Sequence, residues 1–261
     1  MQSSAGTSDD GRSHSRLAGA LRDWLGRWPP TVPFDVVGCD RRAEPGWDGR
    51  VHPAIAVASP HGMVLSVAAD RLQAAAALSP AGSVDRDRLR AGLGAAVGCP
   101  RQPCVQWVFR CSTAPAALPE AGAWTSATAG LVPAWLRPFG GEVLVARDTA
   151  GRPVGGVGIK RHTPLAHEIA VVVAQQARGQ GLGRRLVSQA ARRILDRGAV
   201  PFYLHAAANT ASARLADAAG FPDTGWHMYE LADEVVPLPA RLAKLSRALL
   251  HDATGPARPH G

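Results

Sequence analysis

The sequence predicts an α/β protein whose C-terminal half is a mixed, twisted sheet flanked by helices, and three observations predict it. The run Ile169–Val173 is apolar and β-branched, as a buried strand should be, and it leads through a glycine-rich turn into a segment of helical periodicity. A second strand-then-helix unit follows at Pro201–Ala206 and Asn209–Leu215, closed by Gly220 and Phe221. Ahead of both, Glu142–Arg147 and Val154–Lys160 flank Asp148-Thr149-Ala150-Gly151, a good hairpin turn. A strand, a helix and a further strand in that order imply a parallel pair joined by a right-handed crossover.

Along the chain, residues 1–16 are rich in Ser, Gly and Asp and read as disordered. Leu17, Ala20, Leu21, Trp24, Leu25 and Trp28 recur at helical spacing, and Pro29-Pro30 stops that helix. Ile55–Ala58 and Met63–Ala68 flank Ser59-Pro60-His61-Gly62 as a hairpin. Asp85–Val97 reads as a helix weakened by Gly92 and Gly94, and Val105–Cys111 alternates as a strand. Ala114–Gly141 is a linker rich in Pro, Ala and Gly. His167–Val173 is the next strand, and the helix after it runs to about Arg197 and is closed by Gly198. Its Leu186, Ala190 and Ile194 share one face, with Arg184, Arg185, Arg192 and Arg193 largely off it. Asn209 or Thr210 caps the second helix, Gly220 ends it, and a last strand lies near Trp226–Leu231. Leu238–Leu250 has an apolar-basic pattern that suits a terminal helix.

The turn between Val173 and Leu186 carries the chemistry. Gly179, Gly181 and Gly183 let the backbone turn sharply and approach a ligand closely. Free N–H groups at the start of the following helix converge on negative charge, and the helix dipole adds to the attraction. A pyrophosphate suits that cradle. The loop reads G-x-G-x-G, so it lacks the dinucleotide fingerprint G-x-G-x-x-G, and no Gly-Lys-Ser/Thr follows as a Walker motif needs.

Arg178–Gly183 resembles the R-x-x-G-x-G/A signature of the GNAT superfamily of acyl-CoA-dependent N-acetyltransferases. Asn209-x-x-Ser212-x-x-Leu215 with the later Gly220-Phe221 is similar to that family's second hallmark, in the same order and about thirty residues on. The resemblance covers roughly Gly141–Ala232. It implies a GNAT domain at 139–233 in which two splayed strands take the pantetheine arm of acetyl-CoA, the co-substrate. Val171, Val172, Val173, Arg178, Gly179, Gln180, Gly181, Leu182, Gly183, Arg184 and Asn209 are the implied cofactor residues. Residues 17–138 are an α/β region, read as a degenerate GNAT-like half, as in tandem or glycine N-acyltransferase-like members, or as a cap over the acceptor pocket. Gly62–Val67 faintly echoes Gly141–Val145, and no second phosphate loop appears there. Trp124, Trp135 and Phe139 suit either packing between the halves or an acceptor pocket. Residues 234–261 are the C-terminal helix and tail.

The implied reaction needs an amine to lose a proton before it attacks a thioester. Neutralising a lysine-like amine at pH 7 costs about 4 to 5 kcal/mol, and an α-amine only about 1. Glu168, at the start of the strand that feeds the loop, stands where many members place a catalytic glutamate; His162 and His167 are the neighbouring alternatives. Many members carry a tyrosine as proton donor to the thiolate, and the corresponding position here is Ala216. Tyr203 and Tyr229 are the chain's two tyrosines. The implied acceptor is a small-molecule or peptide amine. Acyl-CoA binding without transfer, in a regulatory protein of the same fold, is the alternative, and an arginine-rich nucleic-acid binder is a lesser one.

The net charge of +8 looks suited to nucleic acid, yet only Lys160 and Lys244 are lysines and the arginines are spread along the chain. Zinc-finger spacing, an RNP-like motif and a dense basic run are all missing, so no nucleic-acid partner is expected. Cys39, Cys99, Cys104 and Cys111 lack metal-site spacing, and no metal is expected. No eighteen-residue apolar run or leader pattern occurs, which predicts a cytoplasmic protein with free thiols and no membrane partner. Family members often form homodimers, but the sequence specifies no interface.

Overall fold

The computed structural model describes residues 6–79 and 85–232. Its elements are α1 (Gly6–Leu25), β1 (Phe34–Gly38), β2 (Ala54–Ser59), β3 (Gly62–Val67), α2 (Leu72–Ala76), α3 (Arg86–Ala96), β4 (Cys104–Cys111), β5 (Ala123–Ser126), β6 (Glu142–Arg147), β7 (Pro153–Arg161), β8 (Ala166–Val173), α4 (Leu182–Asp196), β9 (Val200–His205), α5 (Thr210–Ala218) and β10 (His227–Leu231). The ten strands form one sheet in the order β1-β3-β2-β10-β4-β9-β8-β7-β6-β5.

Three segments depart from the sequence expectation, and β1 and α2 are not expected from it. The segment ahead of Leu17, expected to be disordered, is helical from Gly6 onward. Once the stripe from Leu17 to Leu25 is docked, the nucleation cost is met and the helix extends upstream. Within the linker, Ala123–Ser126 forms β5 and pairs with β6, and Ala134–Phe139 forms a short 3-10 segment. The terminal helix expected at Leu238–Leu250 lies outside the described residues. Among the described residues, no helix is long and apolar enough to cross a membrane.

The two halves of the chain share the sheet. β10, the last described strand, lies between β2 and β4, antiparallel to both. β4 in turn pairs with β9 through Val108–Cys111. A strand of each half is therefore built into the other's part of the sheet. Helices cover both faces. α4 buries Leu186, Val187, Ala190, Ala191 and Ile194 on the face that also holds Val157, Ile159 and Ile169. Each large aliphatic side chain so buried contributes about 1.5 to 3 kcal/mol. On the opposite face α1 packs Leu21, Trp24 and Leu25 against Ala166, Val200, Phe202 and Met228. α3 covers β2, β3 and β10 with Leu89 and Leu93.

The polar side of α4 holds the chain between β4 and β5. Gln189 accepts from the amides of Ala121 and Gly122 and donates to the Gly122 carbonyl, as a strand neighbour would. Arg192 donates to the carbonyls of Ala116 and Leu118, and Arg185 to those of Pro119 and Glu120. These helix arginines are engaged with backbone carbonyls.

Arg110 of β4, 3% exposed, ties the junction together. It donates to His205 at the end of β9, to Asp217 of α5, to the Phe221 carbonyl and to Asp223. Replacing it by Met removes several charge-assisted bonds, while Asp217 and Asp223 are exposed enough to recover solvent. Arg110→Met is expected to lower the unfolding free energy by about 2 to 3 kcal/mol in urea denaturation, with an unchanged m-value.

Candidate active site

β8 and β9 are parallel, but they pair only at Ala166–Val200, His167–Pro201 and Glu168–Phe202. From Ile169 onward the edge of β8 that faces β9 has no strand partner, while β9 continues its pairing with β4 through Tyr203–His205. The strands diverge, and a groove of about 950 Å³ occupies the gap. That volume lies at the upper end for small-molecule sites. Val171–Val173, Arg178–Gly183, Arg184 and Asn209 all line it, together with Tyr203, Ser212 and Arg214.

The end of the groove at α4 is built to meet an anion. Gly179 and Gly181 adopt φ of +77° and +73°, and Gly181 in the left-handed region is the residue at which α4 begins. Among the described residues, the amides of 179–184 find no backbone acceptor; the first such bond runs from Arg185 to the Gly181 carbonyl. No side chain caps the helix. Six consecutive donors at a positive helix end form an anion nest. A Cβ on Gly183 would lie 2.6 Å from Leu215, so its absence lets α5 close the groove's far wall. Asn209 caps α5 by accepting from the Ser212 amide at 3.0 Å. Tyr203 and Ser212 share a hydroxyl–hydroxyl bond of 2.7 Å within the groove, and burial raises the Tyr203 pKa, keeping the phenol protonated. Tyr229 lies instead in the core under α3, and Ala216 is buried behind α4. These features fit the pyrophosphate and arm of an acyl-CoA: residues 179–184 would hold the phosphates, and the open edge of β8 the arm.

Glu168 stands at the vertex of the divergence, 6% exposed, on the face opposite α4. Lys160 is its direct neighbour across the β7–β8 ladder, and its Nζ lies 2.5 Å from Oε1. His162 Nε2 bonds the other oxygen at 2.9 Å. Burial pushes the Glu168 pKa up, but Lys160 and then His162 overcome it and hold the group at about 2. Burial lowers the pKa of His162 more than Glu168 raises it, so the imidazole is neutral at pH 7. His167 belongs to the opposite face of β8, where burial brings it to about 4.

The sequence reading did not find the residues that surround this pair. Trp24 of α1 stacks on His162 with centroids 4.5 Å apart. Trp47 stacks on Phe139 at 5.5 Å and lies 5.6 Å from the Lys160 ammonium. Phe139 rests on Gly158, where a Cβ would come within 2.2 Å of its ring. Trp107 donates to Glu230 at 2.9 Å, and burial raises that carboxyl's pKa. Lys160 was within reach of sequence reasoning, because its place in the hairpin sets it opposite Glu168. Trp24, Trp47, Trp107 and Glu230 come from distant segments with no local signature. Among the described residues, no group of His, Cys, Asp and Glu could hold a metal.

A strand, a glycine turn and a helix, beside a parallel pair that parts, define a mixed α/β domain with an open groove at the helix N-terminus. Residues 105–221, a little under half of the chain, match the model of the acetyltransferase (GNAT) family. The match begins at β4, so it takes in β4 and β5 as well as the part from residue 139 onward. Similar solved structures include a GNAT-family protein from Novosphingobium aromaticivorans, 22% identical with a TM-score of 0.40, covering 49% of this chain and 64% of its own. Another is a GNAT-family acetyltransferase from Colwellia psychrerythraea, at 14% identity and TM-score 0.42, covering 64% of this chain and 75% of its own. A third is a tandem GNAT protein from the clavulanic acid biosynthesis pathway, at 14% and 0.37, covering 59% and 61%. The chain thus spans a little under two thirds of the first of these. No curated protein matches it.

The Glu168 pKa is depressed on folding, so the stability it contributes is present above about pH 4.5 and lost as pH falls toward about 2. The difference in unfolding free energy between wild type and Glu168→Gln is expected to be largest at neutral pH. It should shrink steadily below pH 4.5 in denaturant titrations.

Proposed function

We propose that the chain transfers an acetyl group from acetyl-CoA to an amine by direct attack in a ternary complex. The observation that carries this reading is the run of free amides at residues 179–184 facing a groove between diverging strands. Acetyl-CoA supplies a thioester carbonyl open to attack and a thiolate able to leave. The amine nitrogen forms the new C–N bond as the C–S bond breaks.

The proton from the amine goes to the His162–Glu168 pair. At a pKa of about 2 the carboxylate alone is a weak base, whereas neutral His162 accepts the proton and Glu168 stabilises the imidazolium. Tyr203 is the hydroxyl that fits protonation of the departing thiolate, in place of the side chain that Ala216 lacks. The N-terminal half serves as a cap on the acceptor side, through Trp24 and Trp47. The acceptor is a small-molecule or peptide amine. The alternative of acyl-CoA binding without transfer draws on Ala216 and on the Lys160–Glu168 ion pair, and amine-dependent release of free thiol separates the two.

Gly181→Asp forces a side chain into a left-handed turn and sets a carboxylate where phosphate would bind. It is expected to weaken acetyl-CoA binding by at least about a hundredfold in calorimetry, given what a phosphate cradle supplies. Failure of the folded wild type to bind acetyl-CoA would overturn the reading. Glu168→Gln and His162→Gln should each lower turnover more than about tenfold, at unchanged acetyl-CoA affinity, as loss of a general base does.

A further inference from the structure

The imidazole of His162 is held from two sides. The residue follows β7 in the turn before β8, where its amide donates to the Ala166 carbonyl at 3.0 Å. At the ring's edge, Nε2 bonds Glu168 at 2.9 Å. On its face lies the indole of Trp24, with centroids 4.5 Å apart and planes 28° from parallel. Trp24 is 2% exposed and stands one residue before the end of α1. Two arginines tie that helix end down. Arg42 donates to the Trp24 carbonyl at 3.1 Å, and Arg41 to the carbonyl and carboxylate of Asp23, each at 3.0 Å. The indole also stacks on Phe202 at 5.6 Å, so it has little freedom to turn.

Glu168 is ionised, so Nε2 carries the hydrogen of their bond. Nδ1, which has no hydrogen-bond partner among the described residues, is the nitrogen left to take a proton. Trp24 acts on this ring in two opposed ways. By covering it from water it favours the neutral form that awaits the amine. By presenting the electron-rich face of an indole it favours the cation, because a positive charge within about 6 Å of the centroid is drawn to the ring quadrupole, most strongly for Trp and away from water. An aliphatic cover would supply only the first effect.

We propose that Trp24 is a positioning residue for the base: its indole fixes the plane of the His162 imidazole and stabilises the imidazolium formed when the amine gives up its proton. The proton passes from the amine nitrogen to Nδ1 as the C–N bond forms, and Nε2–H stays on Glu168. The charge then lies between a carboxylate at the edge of the ring and an indole on its face. α1, which has no residue among those lining the groove, is thereby needed for turnover. The inference rests on the acyl-transfer reading for the origin of the proton, while the effect of Trp24 on the protonation of the imidazole does not.

Other charges act on this ring and stay in place in every variant. They are Glu168 and Lys160 from β8 and β7, His52 beyond the small cavity that Arg41, Arg42 and Glu44 also line, and His167 on the far face of β8. The test is NMR titration of the His162 ring in the full chain, with Trp24 replaced site-specifically by a ring-fluorinated tryptophan that keeps the shape and weakens the negative face. The His162 pKa is expected to fall by about half to one pH unit, the size of a cation–π contact. An unchanged value, or a raised one as loss of cover alone would give, overturns the proposal. Trp24→Leu should lower kcat/KM for amine acetylation about tenfold and move its acid limb to lower pH, at unchanged acetyl-CoA affinity, and Trp24→Phe should recover most of the loss. Leu21→Ala, a packing loss on the same stripe of α1, should leave the acid limb where it is, and an equal shift there assigns the effect to packing and overturns the proposal. If Trp24→Leu does not fold by circular dichroism, the fluorinated protein decides. A wild type that binds acetyl-CoA but acetylates no amine fails the acyl-transfer reading alone, because the titration needs no turnover.

Discussion

The arrangement of this protein depends on a pairing that stops. β8 and β9 hold three residue pairs and then part at Glu168 and Phe202. Parallel strands lose little when they part only if each has another neighbour. β8 retains β7 over seven pairs and β9 retains β4 over four, so each diverging strand stays anchored on its far side. The price is a row of open backbone groups on β8 and six free amides at the start of α4, which suits this region to a polar, anionic ligand.

The same divergence explains why the two halves of the chain share one sheet. β9 needs a partner beyond β8, and the chain supplies β4 from before the linker, with β10 returning to cover β4's other edge. Buried Arg110 secures that interchange from β4 to α5, and α4 secures the linker through Gln189, Arg185 and Arg192. One face of α4 therefore packs the core while the other holds the segment that lets β4 and β5 belong to the same sheet. The surroundings of Glu168 are then furnished in part by the N-terminal half, with Trp24 on His162 and Trp47 over Lys160.

Electrostatics divides the site into two environments. At the α4 end, backbone donors and a helix dipole favour negative charge without any buried ionised side chain. Beside Glu168, ionised and aromatic side chains are packed closely, and each pKa is set by its neighbours: Lys160 keeps Glu168 charged, and burial keeps His162 neutral. A neutral imidazole next to a fixed carboxylate can take up and pass on a proton. A solvated glutamate in the same place would be a base of ordinary strength with no fixed orientation.

The sequence by itself determined what neighbouring residues decide. The β-branched run before Gly179, the helical spacing after Gly181, the turn at Asp148–Gly151 and the cap at Asn209 each rest on interactions within a few positions, and each element lies within a residue or two of its expected bounds. The glycine cradle also followed from local chemistry, whereas Glu168 and the remaining groove residues came from the resemblance to the family. Only the tertiary structure decided that β10 runs between β2 and β4, that Glu168 is locked to Lys160, and that Trp24 meets His162 from more than a hundred residues away. Alternation tells a strand which face to bury but not which strand lies beside it, and a side chain's pKa depends on charges that the chain order does not reveal.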